Sequence, residues 1–212
     1  MFRTAIFKNA RKDLAVLGKI AQNSEELFND FYLAGGTALA MQLGHRVSFD
    51  LDFFTEKTFN PENLLRTIKL SGDCISIKDV EISKGTLKFK CNTNISFFDY
   101  PYKLIAPIVK VQEYPWLKLA SIEDIALMKV TAISSRAEKK DFIDLYFAIK
   151  ELNWTQEILL ERLKEKYQDA NYQHLILSLT WFRDADKDNT ELKLLKKVDW
   201  QEVKRFFKDW IK

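Results

Sequence analysis

The sequence predicts an α+β protein: a mixed α/β half over about residues 25–120, then a helical half from Ser121 onward. Three observations carry this. From Cys74 to Tyr100 apolar and polar residues alternate with a period of two, as strands require. A short apolar run, "FYLA", ends in Gly35-Gly36 and is followed by the helix-forming "TALAMQLG". After Ser121 strand signals stop, and "SIED" and "DWQE" each place an acid three residues after a short polar cap, which opens a helix.

The elements follow in order. Ala10, Leu14, Leu17 and Ala21 recur at spacings of four, three and four, one face of an opening helix. "FYLA" reads as a buried strand. The helix after it starts at Thr37 and stops at Gly44, and "VSFDLDFF" returns to strand. Pro61-Glu62 opens another helix, since proline is tolerated in a first turn. "CISIKDVEIS", "TLKFKCN" and "NISFFDY" read as three strands, the first two joined by a turn at Lys84-Gly85. Pro101, Pro107 and Pro115 then mark an irregular stretch. Residues 122–149 read as helix, and the rest as a bundle anchored by Trp154, Trp181, Trp200 and Trp210. The predicted division is residues 1–120 and 121–212.

The chain has 212 residues, 47% of them hydrophobic, enough to bury a core without disulfides or a structural metal. Its net charge of +3 is too small to argue for nucleic acid by itself. The basic residues do cluster, at Arg3, Lys8, Arg11, Lys12 and Lys19, and again at Lys129, Arg136, Lys139 and Lys140. Cys74 and Cys91 form no C-x-x-C, and two histidines leave little for zinc sites or histidine-dependent triads. There is no secretory signal and no run approaching a membrane span, so the expectation is a soluble cytoplasmic protein with no membrane partner.

Within "VSFDLDFF" two carboxylates sit in an apolar frame. On a strand, Asp50 and Asp52 project to one face, with Phe49, Leu51 and Phe53 on the other, toward the core. Two close carboxylates repel, and a divalent cation with oxygen ligands removes the conflict. The strand–Gly-Gly–helix turn lets backbone N–H groups approach an anion, with the Thr37 hydroxyl as a further donor. One short region thus offers a phosphate cradle at Gly35, Gly36 and Thr37 and, fourteen residues after Gly36, a metal platform.

"YLAGGTALAMQLGHRVSFDLDFFT" resembles the AbiEii/AbiGii-type toxin nucleotidyltransferases, within the DNA polymerase β-like nucleotidyltransferase superfamily. A second motif of that family is matched by "MKVTAISSRAEKKDFIDLYFA", with Lys129, Arg136, Lys140, Asp141 and Asp144. Together the motifs span about residues 31–148. The resemblance implies a polymerase β-like core, a mixed sheet flanked by helices, followed by a C-terminal helical bundle. It also implies Mg²⁺ (or Mn²⁺), an NTP substrate, an RNA acceptor such as the 3′ end of tRNA, and a separate antitoxin.

On a helix, Lys129, Ile133, Arg136 and Lys140 share a stripe, with Asp144 four residues further on; Ile133 on that stripe implies that part of it is buried or that the helix breaks near Ser134-Ser135. Lys129, helped by Arg136 or Lys140, would stabilise charge on the transferring phosphoryl group, and Asp141 or Asp144 would orient a cation or bind a ribose or base edge. In this superfamily a third carboxylate on a neighbouring strand often activates the attacking hydroxyl; the candidate is Asp99, whose other reading is a strand-end residue before Pro101. His45 and Arg46 read as loop residues near phosphate or as surface caps. Two alternatives stand beside RNA nucleotidylation: a nucleotide-binding or interaction module with weak turnover, and a small-molecule nucleotidyltransferase of the antibiotic-modifying kind.

Overall fold

The computed structural model describes residues 10–23, 28–71 and 76–211. Arg3, Lys8 and Cys74 fall outside them. The opening helix α1 spans Ala10–Asn23 and buries Ala10, Leu14, Leu17 and Ala21, the predicted face. Strand β1 is Tyr32–Ala34 and helix α2 is Gly35–Leu43, so the helix begins at the glycine pair itself rather than at Thr37. Gly44 ends it in a left-handed conformation, its N–H bonded to the Ala40 carbonyl. Strand β2 is Leu51–Thr55, helix α3 Pro61–Ser71, and strands β3, β4 and β5 are Lys78–Ser83, Thr86–Lys90 and Asn94–Asp99.

Two predictions in this half need correction. Phe49 is 46% exposed because β2 starts only at Leu51, so the strand alternation does not reach it. The irregular stretch contains β6, Val109–Val111, and β7, Tyr114–Leu119. Pro115 hid the second of these, although a proline near a strand's start costs the ladder little.

The seven strands form one mixed sheet in the order β3-β4-β5-β2-β1-β7-β6. Pairs β1–β7 and β2–β5 are parallel; β1–β2, β3–β4, β4–β5 and β6–β7 are antiparallel. One face carries Leu33, Leu51, Phe53, Leu87, Phe89 and Phe97 into the core, where Phe28 and Trp116 pack on Phe53. Helices α1 and α3 cover this side. The opposite face carries Ala34, Asp52, Phe54 and Ser96, and α2 lies against β1 and β2 there. Cross-strand register extends that second face to the sheet edge: Ser96 stands opposite both Asp52 and Lys88, Asn94 opposite Lys90, and Lys90 opposite Lys78.

The helical half begins with α4, Ile122–Arg136. Ser121 caps it by accepting from the Asp124 N–H, as "SIED" predicts, and Asp199 caps α8, Trp200–Trp210, in the same way. Residues 122–149 are not one helix. Ala137 adopts a left-handed conformation (φ 47°), and α5 runs Lys139–Leu152 back along α4 as a hairpin. Helices α6, Gln156–Lys166, and α7, Tyr172–Ser178, follow.

The end of the chain is not wholly helical either. Arg46 and Leu194 form an antiparallel bridge, the Val47 N–H bonds the Lys193 carbonyl, and the N–H groups of Leu195 and Lys196 both bond the His45 carbonyl. Of the predicted tryptophan anchors, Trp200 packs edge-on to Phe142, and the Trp210 indole N–H donates to the Trp154 carbonyl. Trp181 is 57% exposed and anchors nothing.

Candidate active site

The glycine turn and the acidic strand meet as neighbours. Ala34 and Asp52 are register partners, so the first residue of α2 lies beside the Asp52 carboxylate. Gly35 has φ +69°, and a methyl placed on it would stand 3.2 Å from Asp52 Oδ2. Both the left-handed backbone and the close approach require glycine here. A methyl on Gly36 would collide with the Arg46 guanidinium. Gly35→Ala is expected to cost about 1–3 kcal/mol of stability, read as a lower urea midpoint, because it pays the left-handed penalty and crowds Asp52.

Asp50 and Asp52 lie on one face, and the Asn94 side-chain amide donates to Asp50 Oδ1 at 2.9 Å. Burial and the Asp50 charge push the Asp52 carboxyl above the usual range; the Ser96 hydrogen bond, Lys129 and Arg136 oppose this without reversing it. Among the described residues no group of three or more His, Cys, Asp or Glu side chains gathers. The donor set is therefore two hard carboxylates, which suits Mg²⁺, an ion that takes one or two protein carboxylates and leaves positions for substrate phosphates.

Three predicted members stand elsewhere. Thr37 is 1% exposed; its hydroxyl donates to the Asp50 carbonyl at 2.5 Å and lies 3.0 Å from the Ser48 hydroxyl. Its proton is committed to bracing the acidic strand, as a buried hydroxyl demands, and is not free for a phosphate. Asp99 pairs in register with Thr55, three positions from Asp52, so its side chain leaves the opposite face and lies over Gly85. It cannot be the third carboxylate; the residues beside the acidic pair on β5 are Asn94 and Ser96. Lys140 lies beyond the Ala137 break, off the predicted stripe, and its Nζ pairs with Glu138 at 2.8 Å.

Behind the acidic pair the second motif folds into a buried ionic network. Lys129, 4% exposed, bonds Asp141 Oδ1 at 2.8 Å and Asp144 Oδ2 at 2.6 Å. Arg136 grips Asp141 with two nitrogens, at 2.8 and 3.1 Å, while half its side chain stays exposed. Asp144 accepts four donors in all: Arg46 Nε at 2.6 Å, Arg46 Nη2 at 2.8 Å, His45 Nε2 at 2.8 Å and Lys129. Burial pushes the Asp144 carboxyl up, but Lys129, Arg46 and the hydrogen bonds outweigh it and hold it well below the usual range.

His45 and Arg46 are the residues sequence reasoning underrated. Both are buried, at 0% and 4% exposure, rather than on the surface. The Arg46 guanidinium runs from Asp144 on α5 to the backbone of Gly36, joining the two motifs. Burial lowers the His45 pKa, so the ring is neutral at pH 7, donates from Nε2 and packs on Phe147. The signal for Arg46 lay in the second motif, where buried Asp144 needs more cations than Lys129 alone supplies. With His45 neutral, four cations (Lys129, Arg46, Arg136 and Lys140) meet three carboxylates (Asp141, Asp144 and, 3.7 Å from Arg136, Glu138), and the surplus positive charge lies behind Asp50 and Asp52.

The mixed sheet flanked by helices, with a strand–glycine–helix turn set against a two-carboxylate strand and a cationic helix hairpin beside it, is an α+β fold of the nucleotidyltransferase class. A family model described as nucleotidyl transferase AbiEii toxin, type IV toxin–antitoxin system, matches residues 21–209, and the chain belongs to that family. It is 39% identical over 190 residues to an uncharacterised protein of Aquifex aeolicus (strain VF5), covering 87% of each. Its fold is similar to that of MenT4, a nucleotidyltransferase toxin from Mycobacterium tuberculosis H37Rv, with TM-score 0.56 at 17% identity over 94% of this chain and 81% of that one. A similar match is a structure from H. pylori assigned as a nucleotidyltransferase, with TM-score 0.51 at 18% identity over 96% and 93% of the two chains. The protein is thus a nucleotidyltransferase enzyme of a toxin family. Among the described residues no helix is long and apolar enough to cross a membrane.

Proposed function

We propose that the protein transfers a nucleoside monophosphate from an NTP to a hydroxyl of RNA, such as the 3′ end of tRNA, in a divalent-metal-dependent reaction antagonised by a separate antitoxin. The observation that carries this is the pairing of Asp50 and Asp52 beside the start of α2, with surplus positive charge behind them. Asp50 and Asp52 would hold Mg²⁺ (or Mn²⁺), which when bound offsets phosphate charge and polarises the reacting oxygens. Gly35 and Gly36 bring the backbone N–H groups of α2 toward the phosphate tail. Arg136, the half-exposed cation of the network, faces the transferring phosphoryl group, and Lys129 supports it electrostatically from the interior. The acceptor hydroxyl attacks the α-phosphate in line, its proton passes to a phosphate oxygen of the NTP, and pyrophosphate leaves.

Transfer is tested with each α-labelled NTP, Mg²⁺ and total RNA, with chelator as control. Label is expected in RNA and is lost on chelation; RNA left unlabelled with every NTP removes the proposal. One observation favours a second reading, transfer to a small molecule: a cavity of about 710 Å³ lined by Tyr100, Tyr102, Tyr167, Thr131 and His174. Tyr100 connects it to the site face through an edge contact with Phe54. Label in small acceptors but not in RNA selects that reading.

A further inference from the structure

The open sheet face beside Asp50 and Asp52 carries cations that the proposed chemistry does not use. Register lays them out in two rows. One runs from Asp50 through Asn94 to Lys90 and Lys78; the other runs from Asp52 through Ser96 to Lys88 and Glu81. With strands about 4.8 Å apart, Lys88 stands roughly 10 Å from Asp52 along its row, and Lys78 roughly 14 Å from Asp50. Strand β4 alternates cleanly, with Leu87 and Phe89 buried on the core side and Lys88 and Lys90 exposed on the site side. Among the described residues Lys88, Lys90 and every residue of β3 are exposed, so this end of the face is open.

The charges are not spent within the protein. Lys88 meets Glu81 only at 3.6 Å, with both side chains largely in solvent, a pair worth little. Lys78 and Lys90 stand directly opposite each other, a like-charge cross-strand pair that weakens the sheet unless an anion lies over it. The turn that closes the hairpin adds exposed Lys84. A row of lysines that starts at the acidic pair and runs to a sheet edge fits a linear polyanion whose end lies at the pair.

We propose that the site-side face of the β3–β4 hairpin, through Lys78, Lys88 and Lys90, binds the phosphodiester backbone of the single-stranded end of the acceptor RNA. This rests on the proposed RNA nucleotidylation and adds the direction of approach: the chain comes in over the β3 edge, with its terminal hydroxyl at Asp50 and Asp52. Lysines contact phosphates as point charges, so recognition on this face is independent of base sequence.

The test uses the full-length protein and a short fluorescent single-stranded oligoribonucleotide, titrated across a salt series. The variant is Lys78→Gln/Lys88→Gln/Lys90→Gln. A control with the same charge change, Lys164→Gln/Lys197→Gln/Lys208→Gln, alters exposed lysines of the helical half. The hairpin variant is expected to bind at least about tenfold more weakly at moderate salt, and the slope of log affinity against log salt to fall by about 2, or about 0.7 per lost contact. The control is expected to keep the wild-type slope and melting temperature, and the hairpin variant to melt at or slightly above wild type because it loses the Lys78–Lys90 repulsion. Equal losses in both variants, an unchanged slope in the hairpin variant, or no RNA binding by wild type each overturn the inference. Label transfer to RNA that persists while the hairpin variant binds normally rejects this surface and leaves the nucleotidylation standing. Hairpin-dependent binding without transfer does the reverse.

Discussion

Asp144→Asn is expected to destabilise the protein by about 3–5 kcal/mol, a fall in melting temperature on the order of 10 °C. The isosteric amide keeps the shape and removes the charge that Arg46, Lys129 and His45 share. Lys129 retains Asp141, but Arg46 is left buried without its ionic partner, with the Val47 carbonyl and the single amide oxygen as neutral acceptors. The pH dependence follows from the direction of the shift. Asp144 is held well below its ordinary value, so its stabilisation is fully present above the unfolded-state value of about 3.9 and is lost as pH falls toward the folded one. Urea unfolding of both proteins between neutral and acid pH should show the largest gap at neutral pH, narrowing below about pH 4. A gap that widens in acid, or a variant as stable as wild type, would show that the carboxylate does not organise the network.

Asp52→Asn is expected to do the opposite to stability and far more to turnover. In metal-free protein the Asp52 carboxyl sits where burial and Asp50 favour its neutral form. A carboxyl raised in the fold subtracts stability as pH rises above its unfolded-state value of about 3.9, so at neutral pH the amide should melt at or slightly above wild type. Removing a metal-binding carboxylate should cost several kcal/mol in the transition state; about 4 kcal/mol is about a thousandfold in rate. Initial-rate assays of label transfer beside thermal melts give both readouts. Full activity in Asp52→Asn removes the metal platform, and lost activity with a lowered melting temperature assigns Asp52 a structural role instead.

Much of this was legible in the sequence because the relevant signals are local. Periodicity found α1 and the strands β3 to β5, and capping chemistry at Ser121 and Asp199 found the starts of α4 and α8. The acidic pair and the glycine turn were legible together, since strand alternation and a strand–glycine–helix join are both short-range rules. What escaped depends on distant partners. Nothing near Thr37 says that its hydroxyl will be used by the Asp50 carbonyl thirteen residues away. Asp99 follows Ile95 and Phe97 at strand spacing, and the β2–β5 register sets that face with Phe53 rather than with Asp52. Arg46 looked like a loop residue until Asp144, 98 positions later, claimed it. The sequence points to a break near Ser134-Ser135 rather than at Ala137, because alanine is a strong helix former and seldom adopts the left-handed conformation.

The bridge between residues 193–196 and the loop holding His45 and Arg46 has a consequence for timing. A ribosome releases the N-terminal sheet long before it makes Lys193, and domains tend to fold in the order they emerge. Until the last stretch is out, the arginine that joins the glycine turn to α5 has no strand to fix its backbone. Nascent chains and fragments cut short of that stretch therefore carry every residue of both motifs yet lack an assembled centre.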